Sequence, residues 1–340
     1  MPTETREPKP DWHAVPGALR TTIDAICGEP IVSAETVWGG FGPTASFALT
    51  TASGARFFCK GAHPGNTKEG HAAVLREVEN LRTFPELRRF GADLRGLAGG
   101  DGWHLMVLEH VPRVTSVPPW TLDATERVVA LVADFHRSTP TRAEAILHDR
   151  WSSDLIAKAQ NWHTLLEKAD VREGFLALFA DGAAAARWLD DTELEQLVRL
   201  KNKSAGIGGP RGWTHMDIRS DNLILADGRV ALIDWPVLSF GPQLLDIAFF
   251  VPSLEGQGGL CCADGLRLYE ERAGHYFEAE DIAIAASIVA GFFAARAGQP
   301  EIAALPRLRW IQKLQLFPAL DFLSDMLGVD RPPLPKPFPA

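Results

Sequence analysis

Cysteine is scarce in this chain of 340 residues, and the four present form no ligand pattern. Cys27 and Cys59 stand far apart, and the adjacent pair Cys261-Cys262 is awkwardly placed for bridging. No second pair lies at metal-ligand spacing, so reduced thiols in a cytoplasmic protein are expected. A long hydrophobic run is also missing. The greasiest stretch, Ile282 to Ala295, is alanine-rich, ends at Arg296 and is too short to span a bilayer. It predicts a buried helix. No apolar signal core follows the charged, proline-bearing stretch from Met1 to Pro10. Neither export nor a membrane partner is expected. Positive charge is in deficit, with 34 Lys+Arg against 43 Asp+Glu and a net charge of −9. That balance argues against nucleic acid, whose phosphates demand a basic surface. Finally, no Gly-Lys-Ser/Thr occurs, which excludes a Walker phosphate loop. There is no internal repeat, and low complexity is confined to Pro332 to Pro339.

What is present is an ordinary globular composition, 46% hydrophobic and 23% charged, in a chain long enough for two lobes around a cleft. Its centre is Trp213-Thr214-His215-Met216-Asp217-Ile218-Arg219-Ser220-Asp221-Asn222, followed by the apolar run Leu223-Ile224-Leu225. A hairpin turn is expected at Asp227-Gly228, and a second apolar strand then delivers Asp234 in Ile233-Asp234-Trp235. One carboxylate, an amide five positions on and a second carboxylate beyond a hairpin are what a magnesium-dependent phosphoryl transferase needs. Asp217 would accept the proton of an attacking hydroxyl. Asn222 and Asp234 would hold Mg2+ on the nucleotide phosphates.

These residues resemble the catalytic core of the aminoglycoside phosphotransferases and the related choline-kinase-like small-molecule kinases. The resemblance implies an α+β, bilobal protein-kinase-like fold, with an antiparallel N-lobe sheet, one N-lobe helix and a mainly helical C-lobe. Where the family often has a small residue after the His and Pro-Gly before the Asn, this chain has Met216 and Ser220-Asp221. Upstream, Ile31 to Trp38, Ser46 to Thr51 and Ala55 to Lys60 read as three strands. The turn Gly39-Gly40-Phe41-Gly42-Pro43 between the first two is the expected phosphate cover, because glycine lets backbone approach phosphate oxygens closely. Gly40, Gly42 and Ser46, which stands where a third glycine would be, are its cofactor-binding residues. By resemblance Lys60 grips the nucleotide phosphates and is oriented by a glutamate of the helix His71 to Phe84. Glu77 is preferred for that partner, and Glu79 competes. Two more strands, Asp93 to Leu97 and Trp103 to Val111, lead to a hinge where the backbone of Glu109 to Val111 would meet adenine.

The expected division is a flexible tail over 1–16, an N-lobe over 17–112, a C-lobe over 113–330 and a proline-rich tail over 331–340. Helices are expected over Leu122 to His136, Arg150 to Ala169, Ala183 to Leu200, Gly265 to Tyr276, Asp281 to Ala297 and Glu301 to Leu327. His136 reads as a packing or hydrogen-bonding histidine, and Asp246 resembles the buried aspartate that braces the catalytic loop. Only eleven residues separate Asp234 from Asp246, and no Ala-Pro-Glu follows. That leaves little room to dock a polypeptide, so a small hydroxylated acceptor is expected. The acidic balance favours a cationic one such as an aminoglycoside, with Glu255 and Asp264 among the acids that could hold it. The expected activity is ATP- and Mg2+-dependent phosphoryl transfer to that hydroxyl. A kinase of a choline-like or sugar metabolite and a nucleotide-binding pseudokinase without turnover are the alternatives.

Overall fold

Alternating apolar residues build the N-terminal sheet, and each of its faces meets a helix. The computed structural model describes residues 6–40 and 42–337. Strands β1 (Ile31–Thr36), β2 (Ala45–Thr51), β3 (Arg56–Ala62), β4 (Leu94–Gly100) and β5 (Trp103–Glu109) pair antiparallel in the order β1-β2-β3-β5-β4. The period of two sends Phe47, Leu49, Cys59, Leu105 and Val107 to one face, against Leu19 and Ile23 of α1 (Gly17–Cys27). Ala62, Met106 and Leu108 face the other way, against Val74, Val78 and Leu81 of α2 (Lys68–Thr83). Thr67 caps α2 by accepting from the Gly70 amide at 3.2 Å. Lys60 lies opposite Met106 on one side and Ser46 on the other, so it points to the α2 face.

The stretch expected as a flexible tail is packed over its described part, and residues 1–5 lie outside the described residues. Its prolines prevent regular structure without preventing burial. Val15 joins the outer core with α1, and the Trp12 ring meets Phe47 edge-on at 5.1 Å. Glu7 is buried as well.

Beyond β5 the chain is helical apart from two short ladders. The helices are α3 (Leu122–Arg137), α4 (Ala143–Ile146), α5 (Ser152–Lys158), α6 (Trp162–Glu167), α7 (Ala169–Leu176), α8 (Gly182–Asp191), α9 (Leu194–Asn202), α10 (Gln243–Gly256), α11 (Cys262–Ala273), α12 (Ala279–Ala297) and α13 (Leu308–Leu327). Strand β6 (Arg211–Thr214) pairs with β9 (Ser239–Pro242), and β7 (Leu223–Ala226) pairs with β8 (Arg229–Leu232). Helices α10 and α12 are apolar on nearly every side and form the centre of this lobe. The alanine-rich run Ile282 to Ala295 lies within α12, and no helix among the described residues is long and apolar enough to cross a membrane.

Four expected helices differ in extent, and the one expected over Gly265 to Tyr276 is α11, which starts at Cys262 and is ended by the left-handed Gly274, φ 78°. Arg150 to Ala169 is interrupted because Asn161 and Thr164 form a reciprocal capping box that starts α6 afresh. Ala183 to Leu200 breaks at Glu193, whose φ is 52°. The last helix begins at Leu308, not Glu301, which leaves Arg307 outside its first turn. The proline-rich end is tied back by Ala180 N to Leu334 O and Lys336 N to Leu178 O, at 3.0 and 2.8 Å. Residues 338–340 lie outside the described residues.

Candidate active site

The β7–β8 hairpin turns at Asp227-Gly228, where Gly228 takes the left-handed φ of 68° that such a turn requires. It holds the two ends of the motif together. Ile233 N donates to Asn222 O at 2.9 Å, which fixes Asp234 beside the loop that carries Asp217. Asn222 Nδ2 donates to both the carbonyl and the Oδ2 of Asp217, at 2.9 and 3.0 Å. On the other side Arg219 Nη1 lies 3.4 Å from Asp217 Oδ1. The Asp217 side chain is 32% exposed, open to the cleft and held on both sides.

Lys60 reaches across from β3. Its ammonium lies 2.7 Å from Asp234 Oδ1 and 2.9 Å from Glu77 Oε2. Glu77 also accepts from Trp235 N at 3.2 Å, so this one side chain links α2 to the residue after Asp234. Glu79 points elsewhere, 63% exposed and 4.0 Å from Arg150. Burial lowers the pKa of Lys60, but Asp234 and Glu77 outweigh it and hold the ammonium charged well above its ordinary range. Burial raises the Glu77 carboxyl, with Lys60 opposing and Asp234 adding to the rise. Burial acts the same way on Asp234, but there the closer Lys60 ammonium prevails and the net shift is downward.

The loop is braced from below. Asp246, in the first turn of α10, accepts from His215 N at 2.7 Å, Met216 N at 2.6 Å and His136 Nε2 at 3.1 Å. His136 Nδ1 in turn is hydrogen-bonded to the Tyr269 hydroxyl at 2.6 Å. His215 Nε2 donates to Ile233 O at 3.1 Å, and burial lowers its pKa, so the ring is the neutral tautomer. Its Nδ1 is buried without a hydrogen-bond partner among the described residues. Met216 and Asp234 both take positive φ, 61° and 73°. Left-handed backbone costs a residue with a side chain roughly 1 kcal/mol, so the braces hold strain at both places.

The strand-end turn and the hinge close the site. Gly40 has φ 56°, and a Cβ there would lie 3.9 Å from Asp221 Oδ2, so the turn sits over the loop that carries Asp217. Phe41 lies outside the described residues. Ser46, buried, accepts from Lys9 Nζ at 3.1 Å. At the far end, the Glu109 carboxylate accepts from Arg229 Nη2 at 3.1 Å and from Asp93 N at 3.3 Å. Val111 is buried, and the following chain is zipped to the hairpin through Val114 N and Thr115 N, both to Leu225 O. The hinge is thereby fixed to the element that carries Asn222.

Two loop residues join this constellation without having been singled out beforehand. Arg219 forks onto Asp221 through Nε and Nη2, both at 3.1 Å. Their charge within the motif was the available signal. Lys9 and Arg307 could not have been found that way, being remote from the motif in sequence. Of the acids suggested for an acceptor, Glu255 accepts from Cys262 N at 2.7 Å, and Asp264 pairs with Arg267 at 2.9 Å.

The donor set suits magnesium. Asn222 commits its amide nitrogen to Asp217, which presents its oxygen, and the Asp234 side chain is 40% exposed. Among the described residues no group of three His, Cys, Asp or Glu could hold a metal unaided. Mg2+ fits so sparse a set of hard oxygens because phosphates and water commonly complete its shell.

Similar proteins have the same architecture. No curated protein matches the chain. An aminoglycoside-3'-phosphotransferase of type VIII superposes with a TM-score of 0.52 at 19% identity, covering 80% of this chain and 98% of that one. A putative fructosamine-3-kinase from Haemophilus somnus 129PT gives 0.54 at 12% identity, covering 87% and 95%. A thermostable mutant of aminoglycoside phosphotransferase APH(4)-Ia, in a ternary complex with AMP-PNP and hygromycin B, gives 0.56 at 15% identity, covering 92% and 100%. At such identities the likeness establishes the protein-kinase-like fold. The model of the phosphotransferase enzyme family matches residues 33–308, well over half of the chain and every element of the site from the glycine turn to Asp246. The chain belongs to that family.

Proposed function

We propose that this phosphotransferase transfers the γ-phosphoryl group of ATP, with Mg2+, to a hydroxyl of a small molecule. The observation that carries the reading is the convergence of Lys60, Glu77 and Asp234 beside an Asp217 that remains open to the cleft. Asp217 would orient the acceptor hydroxyl and take its proton. Arg219 and the Asn222 amide hold its side chain in place, so that it can face the acceptor. Asn222 and Asp234 would hold the metal, which neutralises charge on the phosphate oxygens when bound. Lys60, oriented by Glu77, would contact the phosphates under a cover made by Gly40, Gly42 and Ser46. The backbone of Glu109 to Val111 would meet the adenine edge. A structural relative bound to AMP-PNP supports ATP as the donor.

For the acceptor, the same relative holds hygromycin B, and the net charge of −9 favours a cation over an anion. The fructosamine-3-kinase relative keeps a sugar-like metabolite as the second reading. The test is a nucleotide-consumption screen over aminoglycosides, neutral polyols, choline and a basic protein, at low and high salt. A cationic acceptor gives a KM that rises with salt while kcat changes little. Turnover on neutral acceptors alone, indifferent to salt, contradicts the cationic acceptor. Turnover on the basic protein alone contradicts a small-molecule acceptor.

A further inference from the structure

The N-terminal segment reaches the glycine turn, and nothing in the reaction described so far uses it. It is tied there at three neighbouring places. The Arg6 guanidinium lies over the Trp38 ring, 5.5 Å from its centroid. Glu7, only 1% exposed, accepts from Arg307, with Nε 3.0 Å from Oε1, and the same Arg307 donates to Gly40 O at 2.6 Å. Lys9 Nζ donates to Val37 O and to Ser46 Oγ, both at 3.1 Å. Trp38, Gly40 and Ser46 span the β1–β2 turn, so the segment is a strap laid along the turn and clasped to the start of α13.

The strap brings one ammonium close to another. Ser46 is directly opposite Lys60 in the β2–β3 register, and side chains so paired start about 4.5–5.5 Å apart on one face. Lys9 therefore reaches the same side of the sheet as Lys60. Arg307 stands behind it, with its charge offset by Glu7. Burial brings the Lys9 pKa down to about 8; Glu7 opposes that fall, while Arg307 and Lys60 add to it. Val37 and Ser46 take two of the three ammonium protons, which leaves one for a ligand. Cations gathered at one end of a cleft, under a glycine turn, describe an anion site.

We propose that Lys9 is a second phosphate-binding lysine, delivered by the N-terminal strap to the nucleotide phosphates beside Lys60. The Glu7–Arg307–Gly40 clasp positions it. This inference rests on the ATP reading above. Binding of ATP, ADP and adenosine is measured by calorimetry for the wild type, Lys9→Met and Lys9→Arg. Loss of one charged hydrogen bond to phosphate predicts a Kd for ATP and ADP about ten- to a hundredfold weaker in Lys9→Met. Adenosine, which has no phosphate, binds both alike, and Lys9→Arg recovers most of the ATP affinity. ATP affinity unchanged or tighter in Lys9→Met overturns the proposal, the tighter result showing that the strap plugs the site. Equal loss for adenosine also overturns it, by showing a structural role. A wild type that binds neither ATP nor ADP overturns the nucleotide reading and this inference with it.

Discussion

Asp217 and Asp234 share one loop system but meet different neighbours, and the difference predicts how each fails. Asp217 touches Asn222 and Arg219 and has no contact with Lys60 among its described partners. Asp217→Asn should lower kcat by about a hundred- to ten-thousandfold while leaving the nucleotide Kd nearly unchanged. Steady-state kinetics paired with calorimetry checks this, and a parallel loss of binding would contradict it. Much at this scale was legible, because His215, Asp217, Asn222 and Asp234 stand at spacings set by chemistry. The choice of Glu77 over Glu79 was harder to read, since both lie on one short stretch of helix and only burial separates them. The positive φ at Met216 supplies a physical reason for the small residue often found there in the family. Lys9 and Arg307 were illegible, because contacts spanning 37 positions from Lys9 to Ser46 and 300 from Glu7 to Arg307 leave no periodic trace.

Elements were read best where the period of apolar residues was long and clean. All five N-terminal strands and helices α2, α3 and α12 fall near their expected places. Boundaries failed where a single polar residue acts as punctuation, as Asn161 does before α6. Lys60 itself depends on element packing, because β3 must lie close to β5. Gly61 permits this: a Cβ there would meet His104 O at 1.9 Å. Gly61→Ala must push the two strands apart, at about 1–3 kcal/mol or more. Urea unfolding should show the loss, accompanied by weaker nucleotide binding as Lys60 is displaced. A variant as stable as the wild type would contradict the register described.

At the scale of the molecule, three of the four thiols are held protonated by burial, which couples stability to alkaline pH. Burial raises Cys59 and Cys262 well above the ordinary thiol range and Cys27 to about 11. In the unfolded chain a thiol ionises near pH 8.5, so above that the unfolded state binds fewer protons and stability falls as pH rises. Each fully buried thiol contributes a slope of about 1.4 kcal/mol per pH unit. The Cys59→Ala/Cys262→Ala double variant should therefore lose less stability than the wild type between pH 9 and pH 10, roughly, as read from denaturant midpoints. Equal slopes would contradict the burial of these thiols.

The whole molecule is also where the central claim stands: two lobes joined through Lys60, Glu77 and Asp234 around a magnesium–nucleotide cleft. The direct measurement is the melting temperature of the wild type and Asp234→Asn, each with ATP, with Mg2+ and with both. At a hundred times the Kd, binding stabilises by about 2.7 kcal/mol. For a chain of 340 residues that is a rise of roughly 4 °C. The account predicts that rise in the wild type with ATP and Mg2+ together, and a much smaller one in Asp234→Asn. Melting curves that stay flat in the wild type with Mg2+ and either ATP or GTP would contradict it.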